Sequence, residues 1–106
     1  MKKRKKVYLS LPISGYDLTE RIETSLKTEM NLHERGYDVF NPLDNGLPHE
    51  ASTYEHMKAD IRALLDCDIV LFMSGFNRSA GCHTELAVAM AIGMEIWFQD
   101  LENVKL

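Results

Sequence analysis

The stretch Asp68-Ile69-Val70-Leu71-Phe72-Met73 constrains the fold of this chain more than any other. After the opening aspartate it is continuously apolar, and its first apolar residues are β-branched. Such a run reads as a central strand buried on both faces. A strand of that kind must be covered above and below, and the rest of the chain supplies covers at regular intervals.

Upstream, Val7-Tyr8-Leu9-Ser10-Leu11 is a short apolar strand that Pro12 and Gly15 interrupt. Asp17 with Glu20 three residues later forms a capping-box pattern, and Ile22, Leu26 and Met30 recur at helical spacing, so the sequence predicts a helix over residues 17–35. Gly36 closes it. Residues 37–40 form a second strand, which Asn41-Pro42 stops. The loop over residues 41–52 is long for a compact domain, and long loops are disproportionately functional. Ser52 with Glu55 starts a second helix, whose stripe is Met57, Ile61, Leu64 and Leu65. After the central strand, residues 74–78 turn, Ser79 opens a third helix to Ile92, Gly93 ends it, and residues 96–98 form a last strand before a short charged tail. The order β-α-β-α-β-α-β places a helix in every crossover, which implies parallel strands and right-handed connections. The expected fold is α/β: a three-layer Rossmann-like or flavodoxin-like domain with a four- or five-stranded parallel sheet flanked by helices. In such sheets ligands bind beyond the carboxyl ends of the strands, where strand order reverses. Loops 11–17, 41–53 and 74–81 are therefore the ones that face a ligand.

A chain of 106 residues with 45% hydrophobic content makes one domain with a real core. The net charge of −4 conceals a split: five of the twelve bases are Lys2, Lys3, Arg4, Lys5 and Lys6, so elsewhere seven bases face sixteen acids, a charge of −9. So acidic a body is unsuited to duplex nucleic acid, whose binding requires many neutralised phosphates. The basic run over residues 1–6 reads as a solvated leader to the first strand. The longest apolar stretches, residues 69–73 and 86–94, fall short of the ~20 residues a membrane span needs. Cys67 and Cys82 make no disulfide framework, and a reducing cytoplasm fits them.

The third helix carries the chemistry. Residues 86–94 contain no charge, so this helix is expected to be buried nearly all round, partly against a second copy of the chain in a homodimer or higher oligomer. Glu85 stands at the head of that stretch, where a solvated glutamate is out of place. Helical side chains lean toward the preceding turn, which brings Glu85 over Cys82 and Gly81, and Gly81 leaves that space open. An ordinary role, satisfying loop amides, fits Glu85 equally well on pattern alone. Ser79-Ala80-Gly81 begins the helix with free amides suited to an anion, although a plain serine cap is the commoner use. Asp60 borders the stripe of the second helix and makes a candidate pair with Glu85. Two carboxylates suit an oxocarbenium-like transition state, one as nucleophile and one handling protons; a salt-bridging role with Lys58 or Arg62 is the plainer alternative. His33, His49, His56 and His83 share no metal-ligand spacing, so no metal is expected. No dinucleotide fingerprint, phosphate-binding P-loop or nucleophile elbow is present, and no cofactor is implied.

Three segments resemble one family. Tyr8-Leu9-Ser10-Leu11-Pro12-Ile13-Ser14-Gly15 resembles the first-strand motif of nucleoside 2-deoxyribosyltransferases and the related 2′-deoxynucleoside 5′-monophosphate N-glycosidases. Asp60-Ile61 through Cys67-Asp68-Ile69-Val70 is similar to their second-helix and third-strand signature, and Ser79-Ala80-Gly81-Cys82-His83-Thr84-Glu85 to their S-x-G-x-x-x-E helix. The likeness covers residues 6–98 and is nearest to a small subgroup of bacterial and phage proteins. It implies a single domain over residues 1–106, in which Glu85 attacks the anomeric carbon to give a covalent deoxyribosyl-enzyme. Asp60 then holds the sugar and assists proton transfer to the departing base, while Tyr8 orients the nucleophile. Ser10, Pro12, Ile13 and Gly15 line the pocket, and Ser79 and Gly81 meet the 5′ end of the sugar. The position of Ser79 is commonly acidic in the transferases and serine in the monophosphate hydrolases, so serine favours a deoxynucleotide over a deoxyribonucleoside. The expected activity is cleavage or transfer of the N-glycosidic bond of such a small molecule in the cytoplasm. The competing expectations are a catalytically silent nucleotide-binding or sensing module, and an interaction domain built around the third helix.

Overall fold

The computed structural model describes residues 3–100. Four strands, β1 (Lys6–Ser10), β2 (Asp38–Phe40), β3 (Ile69–Phe72) and β4 (Glu95–Phe98), form one parallel sheet in the order β2-β1-β3-β4. Helices α1 (Leu18–Glu34), α2 (Thr53–Leu65) and α3 (Ala80–Ile92) lie in the three crossovers. This is the expected three-layer, Rossmann/flavodoxin-like arrangement, with four strands. Short 3-10 turns at Pro42–Asp44 and Phe76–Arg78 occupy the two segments read as loop and turn.

β3 is buried along its whole length, as its composition requires. Strand alternation divides the core in two. Val7, Leu9, Ile69 and Leu71 face one way, toward Leu32 of α1. Tyr8, Val70 and Phe72 face the other, toward Leu64 of α2 and Cys82 and Ala89 of α3. The order of strands reverses between β1 and β3, so their carboxyl ends open the crevice that this topology offers to a ligand.

The caps act largely as read. Ser52 and Glu55 complete a reciprocal capping box on α2. On α1 only half of the box forms: Asp17 accepts from the amide of Glu20, while the Glu20 carboxylate turns to Arg21 at 2.6 Å and to Thr24 at 2.6 Å. The guanidinium of Arg21, charged and bidentate, outcompetes a backbone amide.

Three expectations need correction. The stripe Ile22, Leu26 and Met30 does not mark the buried side of α1: Leu26 and Met30 are 47% and 62% exposed, and the buried residues are Arg21, Ser25 and Leu32. Arg21 is buried because its charge is satisfied, donating to Glu20 and to the Pro12 carbonyl and lying 4.2 Å from the centre of the Tyr16 ring. Ser25 is buried because its hydroxyl accepts from Asn41 Nδ2 at 3.0 Å. Helix α3 is not covered all round within one chain, since Met90 and Ile92 are 66% and 52% exposed. The basic run is not merely a solvated leader either. Lys6 belongs to β1, and Arg4 pairs with Asp38 at 3.1 Å and donates to the Tyr37 carbonyl, tying the strand to its neighbour. Met1, Lys2 and the tail beyond Asp100 lie outside the described residues.

Candidate active site

The site is built outward from β1. Tyr8 and Ser10, two residues apart, project to the same face and are wholly buried. Glu85, in the second turn of α3, meets them there. Tyr8 OH donates to Glu85 Oε2, and Ser10 Oγ donates to Glu85 Oε1 at 2.6 Å. Both carboxylate oxygens are thus held by hydroxyls of one strand. Local sequence sets this up: Ser79 caps α3 by accepting from the Cys82 amide at 3.2 Å, which fixes the helix start and therefore the row on which Glu85 falls.

Electrostatics follow from burial. Glu85 is 7% exposed, and desolvation raises its pKa to about 7 against the two hydrogen bonds that lower it, with the Asp60 charge raising it further. Burial, with the neighbouring acids, drives the Tyr8 phenol far upward, so Tyr8 remains a proton donor. Asp60 is raised as well, chiefly by desolvation, against the hydrogen bond from Asn45 that lowers it. Two acids with perturbed affinity for protons in one hollow mark a functional-site candidate.

That hollow is a cleft of about 580 Å³ bounded by the loops after β1, β2 and β3, and Glu85 and Asp60 both line it. Pro12, Ile13, Ser79 and Gly81 line it too. A Cβ on Gly81 would stand 3.6 Å from Met57 Cε and 3.8 Å from Ser79 Oγ, ordinary contact distances, so the glycine leaves a small gap at the helix start. A second hollow, of about 470 Å³ between α1 and β4, is lined by Lys27, Arg35 and Trp97 and by no carboxylate.

The described residues match, over positions 5–98, the family described as Domain of unknown function (DUF4406). The chain belongs to the DUF4406 family. No curated protein matches it. Among solved structures, this DUF4406 chain is similar to the CMP N-glycosidase BcmB of Clostridium botulinum, at 25% identity and a TM-score of 0.63, covering 89% of this chain and 70% of that one. It is also similar to a conserved protein of Enterococcus faecalis V583, at 20% identity and a TM-score of 0.67, covering 91% of this chain and 63% of that one. The second likeness is one of fold. Together they support the nucleoside 2-deoxyribosyltransferase-like fold implied by the three motifs.

The DUF4406 cleft is lined by Glu85, Asp60, Pro12, Ile13, Ser79 and Gly81, while Tyr8 and Ser10 are buried behind it and reach it through their bonds to Glu85. Ser10 stands apart from the expected role, since its hydroxyl is spent on Glu85 and it is a positioning residue for the carboxylate. Gly15 is not among the cleft residues; it turns the chain with φ +85°. Sequence reasoning missed Tyr16, His56 and Arg78, which line the cleft, and Asn45, which bonds to Asp60. One signal was available: His56 and Asp60 are four apart on a helix and so share a row. Among the described residues no three His, Cys, Asp or Glu side chains are placed to hold a metal ion, and no helix is long and apolar enough to cross a membrane.

Proposed function

We propose that this DUF4406 protein cleaves or transfers the N-glycosidic bond of a 2′-deoxyribonucleoside or its 5′-monophosphate, with Glu85 as nucleophile. The observation that carries this reading is the Glu85 carboxylate, buried at the strand-order switch between two hydroxyl donors yet open to a cleft that Asp60 shares. Such a carboxylate is aimed and partly desolvated, the state a nucleophile requires.

In the proposed reaction one Glu85 oxygen bonds to C1′ as the C1′–N bond breaks. The electron pair passes to the base nitrogen, and Asp60 delivers a proton to the departing base. Water, or the N–H of a second base in a transferase, then attacks C1′ as the bond from C1′ to Glu85 breaks, and gives its proton to Asp60, which restores both carboxyl groups. Tyr8 and Ser10 hold the carboxylate plane throughout. Ala80 and Gly81, at the first turn of α3, offer amides to the 5′ end of the sugar, the Ser79 amide being spent on the Phe76 carbonyl at 3.1 Å, and a phosphate there meets the positive end of a helix. The named substrate of the similar Clostridium enzyme is itself a nucleoside monophosphate, which supports a 5′-phosphorylated substrate here.

Incubating the protein with each deoxynucleoside monophosphate and resolving free base by chromatography tests the proposal. Release of base is expected, with Glu85→Ala slower by about 10³-fold or more. No release, or a Glu85→Ala variant equal to wild type, defeats it. A silent nucleotide-binding module on the same scaffold is the second reading. The helix start at Ser79 favours it, since an anion binds there without any chemistry. Saturable nucleotide binding with no released base selects it.

A further inference from the structure

The loop between β2 and α2 contains a side chain whose hydrogen-bonding capacity is spent on the cleft. Asn45 Oδ1 accepts from the Leu47 amide at 3.1 Å. A backbone N–H can only donate, so this bond fixes which end of the Asn45 amide is oxygen. The nitrogen end then lies 2.9 Å from Asp60 Oδ1 and 3.1 Å from His56 Nδ1. An amide nitrogen offers two protons and no lone pair. Asn45 therefore donates to both, and His56 Nδ1 is the acceptor. A neutral imidazole that accepts at Nδ1 carries its proton on Nε2. His56 and Asp60, one turn apart on α2, both line the cleft, and a single asparagine sets the orientation of each.

We propose that His56, held by Asn45 as its Nε2–H tautomer, donates a hydrogen bond to the base acceptor that flanks the glycosidic nitrogen, O2 of a pyrimidine or N3 of a purine. This rests on the N-glycosidase reading and adds to it a base-contacting residue and a substrate requirement. Those acceptor atoms gain negative charge as the C1′–N bond breaks, so a fixed donor there binds the transition state more tightly than the ground state. Asp60 handles the proton and His56 stabilises the charge, with no bond made or broken at the imidazole. The class of substrate that benefits is any nucleotide whose base keeps that lone pair.

Two measurements decide the matter without turnover. Nitrogen NMR of the histidine side chains is expected to show His56 protonated on Nε2 in the wild type and to lose that preference in Asn45→Ala. Titration with adenine is expected to move the His56 Nε2 resonance, and 3-deazaadenine, which lacks the acceptor, is expected to leave it in place. A third measurement follows catalysis: His56→Ala is expected to lower kcat by about 10- to 100-fold with little change in KM. His56→Gln, which keeps a donor near the Nε2 position, recovers most of that loss. A proton on Nδ1, equal responses to the two bases, or wild-type kcat in His56→Ala each overturn the proposal. If the N-glycosidase reading itself fails, no base is released by a protein with Glu85 intact, while the tautomer and titration still decide the role of His56.

Discussion

Glu85 is a carboxyl group carried into a core between two hydroxyls, and its ionisation contributes to how this protein responds to pH. Its pKa rises from an ordinary 4.5 to about 7, first through burial. A carboxyl that holds its proton more tightly when folded is stabilising when protonated, so folding stability falls as pH climbs from about 4.5 to about 7 and then levels off. At about 1.4 kcal/mol for each pH unit the loss over that span is about 3–4 kcal/mol. Urea denaturation at pH 5 and pH 8 is expected to show that fall in the wild type and to show much less of it in Glu85→Gln. Under the proposed function the same titration governs catalysis, because a nucleophile must be ionised. Log kcat/KM for a deoxynucleoside is expected to rise with pH up to a limb near 7. Ser10→Ala removes a hydrogen bond that lowers this pKa, so its limb moves to higher pH. A loss of about 10-fold in rate at neutral pH is expected, read from the same profile.

The elements around the cleft are locked to one another at a few close contacts. The turn after β3 presses on the loop after β1 at Gly75, which has φ +88°, and a Cβ there would come within 2.9 Å of Tyr16 OH and 3.3 Å of Pro12 Cγ. Gly75→Ala thus pays for a left-handed backbone and must also displace a ring at the cleft mouth. A loss of about 1–2 kcal/mol is expected from the backbone alone, measured as a lower urea midpoint with unchanged slope. Element boundaries were largely legible, because caps and periodicity are local: Asp17, Ser52 and Ser79 each cap the helix they were read to start. Which side of each helix turns inward was less legible. Leu65 closes the apolar stripe of α2 yet is 52% exposed, while on α1 Arg21 and Ser25 are buried through distant partners that no local pattern encodes.

At the scale of the molecule, the sheet order places the carboxyl ends of β1 and β3 side by side, which is why side chains 77 residues apart, Tyr8 and Glu85, share a hydrogen bond. The same architecture leaves part of α3 bare. Ala87, Met90 and Ala91 share a helical face by spacing and are exposed, with Met90 at 66%. Self-association through that face is expected, so light scattering is expected to report at least a dimer for the wild type and a lower mass for Met90→Glu. By itself the sequence determined the alternation of strands and helices, the central place of residues 69–72, and the helix start that aims Glu85, because periodicity, capping and apolar continuity act between near neighbours. Only the tertiary structure decided the strand order, the inward faces of α1 and α2, the engagement of Ser10 with Glu85, and the bonds of Asn45 to Asp60 and His56. Each of those depends on groups far apart in the chain meeting at one distance and one angle, and that geometry exists only once the sheet has formed.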